Sequence, residues 1–209
     1  MSLVDIIFII SCAIILSSLT GLRTFLPITT FSILAKFNLI QLKIYNTPFY
    51  NFITDDRVLL VFIIATVLEL LADKIPAIDN FLDSVLIFIK PLFAFILNYN
   101  LLNSLNLSDW QLFLLSFSLS LFLTSSVTGS KNVIRLTSTT TTVGTFNIFI
   151  SFLEDLFVII KTVLSGLFVL FSVIFAFVVI VLCSFLFYKV LNKILKMRNL
   201  KGIDKKGII

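Results

Sequence analysis

Histidine is absent from the chain, which removes imidazole catalysis and histidine-ligated metals. Cysteine occurs only twice. Cys12 and Cys183 are far apart, each inside an apolar run. They lack the spacing of a metal site and read as packing residues. Ile9-Ile10-Ser11-Cys12 loosely matches a lipoprotein cleavage site. A signal peptide also needs a basic start and a longer apolar lead, and Met1-Ser2-Leu3-Val4-Asp5 offers neither. Charge is scarce as well. Only 13% of residues are charged, against about 25% in an ordinary soluble domain. No serine-nucleophile motif, glycine-rich phosphate loop or cluster of metal ligands is present, so neither an enzymatic activity nor a cofactor or metal is expected. Asp79 and Asp83 match half of a membrane-phosphotransferase metal motif, but the Asp-Gly and Ala-Arg elements that should precede them are missing.

What remains is apolar. The chain is 59% hydrophobic with a mean hydropathy of +1.13. No soluble fold of this length could hide so much apolar surface, and runs of about 20 such residues read as transmembrane helices. The expectation is an all-α, polytopic helical membrane protein of six to eight hydrophobic segments. Its partner is the lipid bilayer and not a nucleic acid. The whole chain, 1–209, reads as one membrane domain, with 191–209 a basic tail. That tail holds Lys193, Lys196, Arg198, Lys201, Lys205 and Lys206, with Lys189 just before it. Basic residues stay on the cytoplasmic side, so the C-terminus is expected there, in a bacterial cytoplasmic membrane. The same residues could also meet anionic lipid head groups.

One short pattern occurs twice. Ser17-Ser18-Leu19-Thr20-Gly21-Leu22-Arg23 ends the first apolar run, and Ser125-Ser126-Val127-Thr128-Gly129-Ser130-Lys131 ends a later one. Glycine tolerates backbone angles that other residues avoid, so Gly21 and Gly129 are both read as helix breaks. Thr24 to Phe37 comes after the first, with Pro27 near its start, where a missing N–H is tolerated. Asn38 to Arg57 reads as an extramembrane loop lying on the interface through its aromatic rings. Val58 to Ala72 carries Glu69 and runs into Asp73 and Pro76, a further break. Ile78 to Leu97 is interrupted at Lys90-Pro91, which predicts a kinked or broken helix. Asn98 to Ser108 reads as a polar turn, with Asp109 capping a span from Trp110 to Thr128. Leu136 to Thr145, with Gly144, is too polar to face lipid. It either lines a wet, protein-enclosed surface or is a threonine-rich loop outside the membrane. Phe146 to Lys161 carries Glu154 and Asp155, and Ser165-Gly166 separates it from the last span.

The order of these features predicts an internal duplication, with repeats at 3–98 and 109–190, of the weak kind seen in membrane carriers. Counting back from the tail puts Arg23, Lys74, Lys131 and Arg135 on the cytoplasmic side and the Asn98 to Ser108 turn outside. If Thr24 to Phe37 and the threonine-rich segment instead dip in and return, the repeats are inverted. The oligomeric state is not legible.

A charge at the bilayer centre costs at least ~2.5–3.5 kcal/mol, so Arg23, Lys131 and Arg135 beside helix breaks, and Glu69, Asp73, Glu154 and Asp155 within helices, require an account. One reading pairs Arg23 with Glu69 and Lys131 with Glu154, locking helices together. The other makes the cations, with N–H groups at broken helix ends, a site for a small anion or an anionic lipid. The second reading implies a transporter or lipid-translocation protein. The first implies a scaffold or subunit of a larger membrane complex.

Thr20-Gly21-Leu22-Arg23-Thr24-Phe25-Leu26-Pro27, the Glu69-x-x-x-Asp73-Lys74-x-Pro76-x-x-Asp79 element, and the threonine-rich stretch with Gly144, Asn147 and Leu153-Glu154-Asp155 together resemble a bacterial integral-membrane family catalogued as domain of unknown function 4126. That resemblance implies membrane location and no reaction. Gly21-x-Arg23-x-Phe25-x-Pro27 is similar, over four positions, to the arginine-proline motif of DedA-type membrane proteins. Those have re-entrant helices and an association with lipid-carrier translocation.

Overall fold

A computed structural model of the chain describes residues 3–40, 48–72, 76–142, 145–168, 171–185 and 188–189, with side chains described outside 76–84, 136–142 and 145–148. Among the described residues the regular structure is helical and no strand occurs.

Helix α1, Leu3–Leu22, is the centre of the bundle. It has no charge after Asp5 and is apolar on every side, the pattern of a helix surrounded by protein. Nearly every residue from Phe8 to Gly21 is buried. Three of its hydroxyls are satisfied on its own backbone, Thr20 donating to the Leu16 carbonyl at 2.7 Å and Ser11 and Ser18 to those of Ile7 and Ile15 at 2.8 Å. Around it stand α2 (Leu26–Lys36), α3 (Pro48–Thr54), α4 (Asp56–Ala72) and α5 (Pro76–Leu102). Next come α6 (Asp109–Leu119), a π turn at Ser120–Thr124, α7 (Ser125–Thr142) and α8 (Thr145–Leu167), then α9 (Phe171–Phe185). Among the described residues, three stretches are long and apolar enough to cross a bilayer: Leu3–Leu22, Val85–Leu105 and Asp109–Arg135.

Contacts fix the directions of α2, α4, α5, α7 and α8 relative to one another and to α1. Ser17 meets Asn98 and Gly21 meets Lys90, so α5 runs antiparallel to α1. Thr124 reaches Ser17 and Thr128 reaches Gly21, so α7 runs parallel to α1. Arg23 meets Ser151 while Gly166 lies against Leu34, so α2 and α8 run together. Glu69 meets Thr24 while Thr66 meets Thr29, so α4 returns along α2. At about 1.5 Å per residue, the 11 residues of α2 descend about half the hydrocarbon thickness of roughly 30 Å. One apolar cluster, including Phe8, Phe31, Phe49 and Leu101, fills the bundle around the first half of α1. A second, including Leu19, Leu123, Val158 and Val179, fills it around the other half. Trp110, Phe113 and Phe117 stack along α6 with Trp110 exposed, the placement expected at a membrane interface.

Several expectations change. The helix does not break at Gly129: α6, the π turn and α7 succeed one another without a gap from Asp109 to Thr142. Only the five-residue π turn interrupts the α pattern. Nor does Lys90-Pro91 break α5, which runs through Pro91. The N–H that Pro91 lacks is a single missing bond in a 27-residue helix packed along α1. Asn98 belongs to α5 and is fully buried; the turn begins at Asn103. The cap of α6 is Ser108, not Asp109, with the Ser108 N–H donating to Gln111 Oε1 at 3.3 Å, half of a capping box. The stretch from Asn38 to Arg57 contains α3, whose Phe49 and Ile53 enter the core instead of lying on the interface.

Candidate functional site

The site is built where α1 stops. A helix end leaves carbonyls without intrahelical partners, and in an apolar bundle those groups need donors from elsewhere. The Gly21 carbonyl accepts from Thr128 Oγ1 at 3.0 Å and from Lys90 Nζ at 3.4 Å. The Leu22 carbonyl accepts from Lys131 Nζ at 3.1 Å. Both ammonium groups thus lie at the negative end of the α1 dipole, where cations are favoured. Gly21 itself serves packing. A Cβ there would stand 2.8 Å from Val127 Cβ and 2.9 Å from the Thr124 carbonyl, so its missing side chain is what lets α1 and α7 touch.

Three residues separate α1 from α2, and the N–H groups just ahead of α2 meet an acid. Thr24 N–H donates to Glu69 Oε1 at 2.6 Å and Phe25 N–H to Oε2 at 3.0 Å. A buried carboxylate therefore caps the positive end of α2, the interaction that suits a helix N-terminus. Pro27 sits in the first turn of α2, where its lack of a donor costs nothing.

Arg23 lies between the two helix ends and is 1% exposed. Its Nε stands 2.6 Å from Asp155 Oδ1, close but off-angle for a hydrogen bond, and its Nη2 donates to the Ser151 carbonyl at 3.2 Å. The expected pairing of Arg23 with Glu69 is therefore replaced. Because α2 runs alongside α8, Arg23 meets Asp155, while antiparallel α4 delivers Glu69 to the backbone of Thr24 and Phe25. The other expected pair is present. Lys131 Nζ is 3.6 Å from Glu154 Oε2, and Arg135, one turn further along α7, reaches the same oxygen at 3.3 Å and Ser151 Oγ at 2.7 Å.

Exposed apolar surface continues past the charges toward the same end of the bundle. Val85 and Phe149 are exposed apolar residues five positions beyond Lys90 and Glu154. That places the apolar belt about 7–8 Å past the cluster. A polar seam continues from the site along α1: Asn98 Nδ2 donates to Ser17 Oγ at 2.6 Å and to Ser120 Oγ at 2.9 Å, and Thr124 Oγ1 to the Ser17 carbonyl at 2.9 Å. A cavity of about 460 Å³ opens between α1, α7, α8 and α9. Leu19, Val127, Phe157 and Val179 line it, and Lys131 and Glu154 stand in its wall. Lys161 is held against the rings of Phe157 and Phe175, 5.5 and 4.3 Å from their centroids.

Arg23, Lys131, Arg135, Glu69, Glu154 and Asp155 thus all converge on the junction of α1 with α2. Pro76 is the first residue of α5. Asp73, Gly144 and the basic tail 191–209 lie outside the described residues, as do the side chains of the threonine-rich segment, whose backbone to Thr142 is part of α7. Lys90 was not singled out from the sequence. Its signal was a lone cation inside the apolar run from Ile78 to Leu97, obscured by the proline beside it. Asn98 and Ser151 carried no signal, since one polar residue near a turn or in a helix is ordinary.

The chain belongs to the family described as Domain of unknown function (DUF4126), whose family model matches residues 10–189. No curated protein and no solved structure matches it.

Proposed function

We propose that the protein is a transporter or lipid-translocation protein acting on a small anion or an anionic lipid. One observation carries this reading. Arg23, Glu69, Lys90, Lys131 and Arg135 are all buried at one helix junction inside an apolar bundle, beside a cavity. Each buried charge is costly to insert, and such groups in membrane proteins mark substrate and ion paths. The test is flux in vesicles containing the purified protein, with tail-labelled phosphatidylglycerol and radiolabelled inorganic phosphate as probes. Faster movement of either than in protein-free vesicles supports the reading. Equal rates for both would overturn it.

A scaffold reading is favoured by a different observation: the charges are engaged with one another and with helix ends, Arg23 with Asp155 and Glu69 with Thr24 and Phe25. Such contacts would tie α1, α2, α4 and α8 together without moving anything. The flux measurement separates the two.

Orientation belongs to the same proposal. Cys12 lies beside Ser172 while Leu19 and Leu22 line one cavity with Leu182 and Cys183, so α9 runs parallel to α1 and finishes at the end of the bundle that holds Arg23, Lys131 and Arg135. The positive-inside rule then makes that end cytoplasmic. A reporter fused after Ile209 should be active only in the cytoplasm; activity solely on the other side would reverse the assignment.

A further inference from the structure

We infer that the cavity between α1, α7, α8 and α9 is a lateral binding cleft for an anionic, chain-bearing membrane lipid, its chain lying on the apolar walls and its head group at Lys131. This names the substrate class of the site and rests on the reading that the charged junction handles the substrate. The rim supplies the entry. Ile134, Leu153 and Leu182, from three different helices, are 56%, 47% and 56% exposed and line the same cavity. In a bundle that spans a bilayer such residues face lipid, so the cleft opens to the membrane interior and not to water. Its volume of about 460 Å³ falls within the usual range of roughly 300–1,000 Å³ for ligand pockets.

The wall supplies the head-group preference. Glu154 Oε2 already accepts from Arg135 Nη2 at 3.3 Å and is ion-paired with Lys131 Nζ at 3.6 Å. A cationic head would have to take that oxygen from both. An anionic oxygen need only join Glu154 at Lys131, whose ammonium carries three donors and is already removed from water at 3% exposure. The desolvation of the donor is therefore complete before a ligand arrives. A hydrophilic anion has no comparable route, because the rim is apolar on all three helices.

The experiment uses the full chain in mixed micelles. Trp110 is the single tryptophan and lies on α6, away from the cleft. A Trp110→Phe background with Leu182→Trp therefore puts the fluorophore on the rim. Brominated phosphatidylglycerol and brominated phosphatidylcholine are titrated as quenchers. The anionic lipid should quench with an apparent affinity about tenfold or more higher, the size of one charge-assisted hydrogen bond. Lys131→Gln should remove that preference. So should Val179→Phe, which fills the apolar wall without touching the charges and guards against a charge variant that merely misfolds. Inorganic phosphate, which has no chain, should not compete. Equal quenching by the two lipids would overturn the inference. So would a preference that survives both substitutions, or full competition by phosphate. Loss of the lipid preference with phosphate flux intact would remove the lipid and leave the transport reading. Intact preference without any flux would leave a lipid-binding protein that does not transport.

Discussion

Gly21 and Gly129 occupy the same place in the same short pattern, yet they do different things. Gly21 is at the end of α1, pressed against α7 so closely that a Cβ would meet Val127 and Thr124. Gly129 is in the second turn of α7, inside the uninterrupted helical stretch from Asp109 to Thr142, and a Cβ there would meet nothing within 4 Å. The two stretches pack side by side and run in the same direction, Thr124 bonding to Ser17 and Thr128 to Gly21. The path of the chain beyond each glycine separates them. After Gly21 the chain turns back as α2. After Gly129 it continues as helix to Thr142, and the carboxylate helices α4 and α8 consequently run in opposite directions. A break therefore depends on what meets the exposed helix end. Glu69 accepts from the N–H groups of Thr24 and Phe25 just ahead of α2, and Lys90, Lys131 and Thr128 donate to the last carbonyls of α1.

The largest expected contrast is between the cations of the two stretches. Arg23→Gln leaves Asp155 without its close ion partner, with a cost of roughly 3–5 kcal/mol for a buried pair broken on one side. Lys131→Gln should cost less, about 1–3 kcal/mol, because Arg135 still holds Glu154. Equilibrium unfolding in mixed micelles measures both, and equal losses would contradict the inequivalence. Gly21→Ala comes next. It forces a Cβ into the α1–α7 contact, and overpacking of this kind costs about 1–3 kcal/mol. The smallest effect has the opposite sign. Gly129→Ala places a better helix former mid-helix with room around it, and should stabilise by about 0.5–1 kcal/mol. A destabilising Gly129→Ala would show that Gly129 is a break after all.

The membrane class and the apolar helices were legible because composition dictates them: 59% hydrophobic residues leave no soluble alternative. The stop at Gly21 was legible too, since Arg23 and Pro27 come directly after it. The matching motif at Gly129 does not carry a matching geometry: Lys131 follows it as Arg23 follows Gly21, but no proline comes after it as Pro27 does after Gly21. The pairing of Lys131 with Glu154 could be anticipated from their shared half of the chain. Arg23 with Asp155 spans 132 positions by difference of their numbers and depends on α2 lying along α8, a tertiary fact with no local trace. Lys90 was hidden for the same reason, since its acceptor is the Gly21 carbonyl on another helix. The π turn at Ser120–Thr124 has no proline or glycine to announce it.

The most direct test joins the charged junction to function. Arg23→Gln with Asp155→Asn removes both members of the pair, so no charge is left alone and much of the folding loss should be recovered. If the junction only locks helices, the folded double variant should move tail-labelled phosphatidylglycerol across reconstituted vesicles as the parent protein does. A substrate-handling junction instead predicts a variant that folds and inserts normally but moves the lipid no faster than protein-free vesicles. A folded double variant with the parent rate would contradict it.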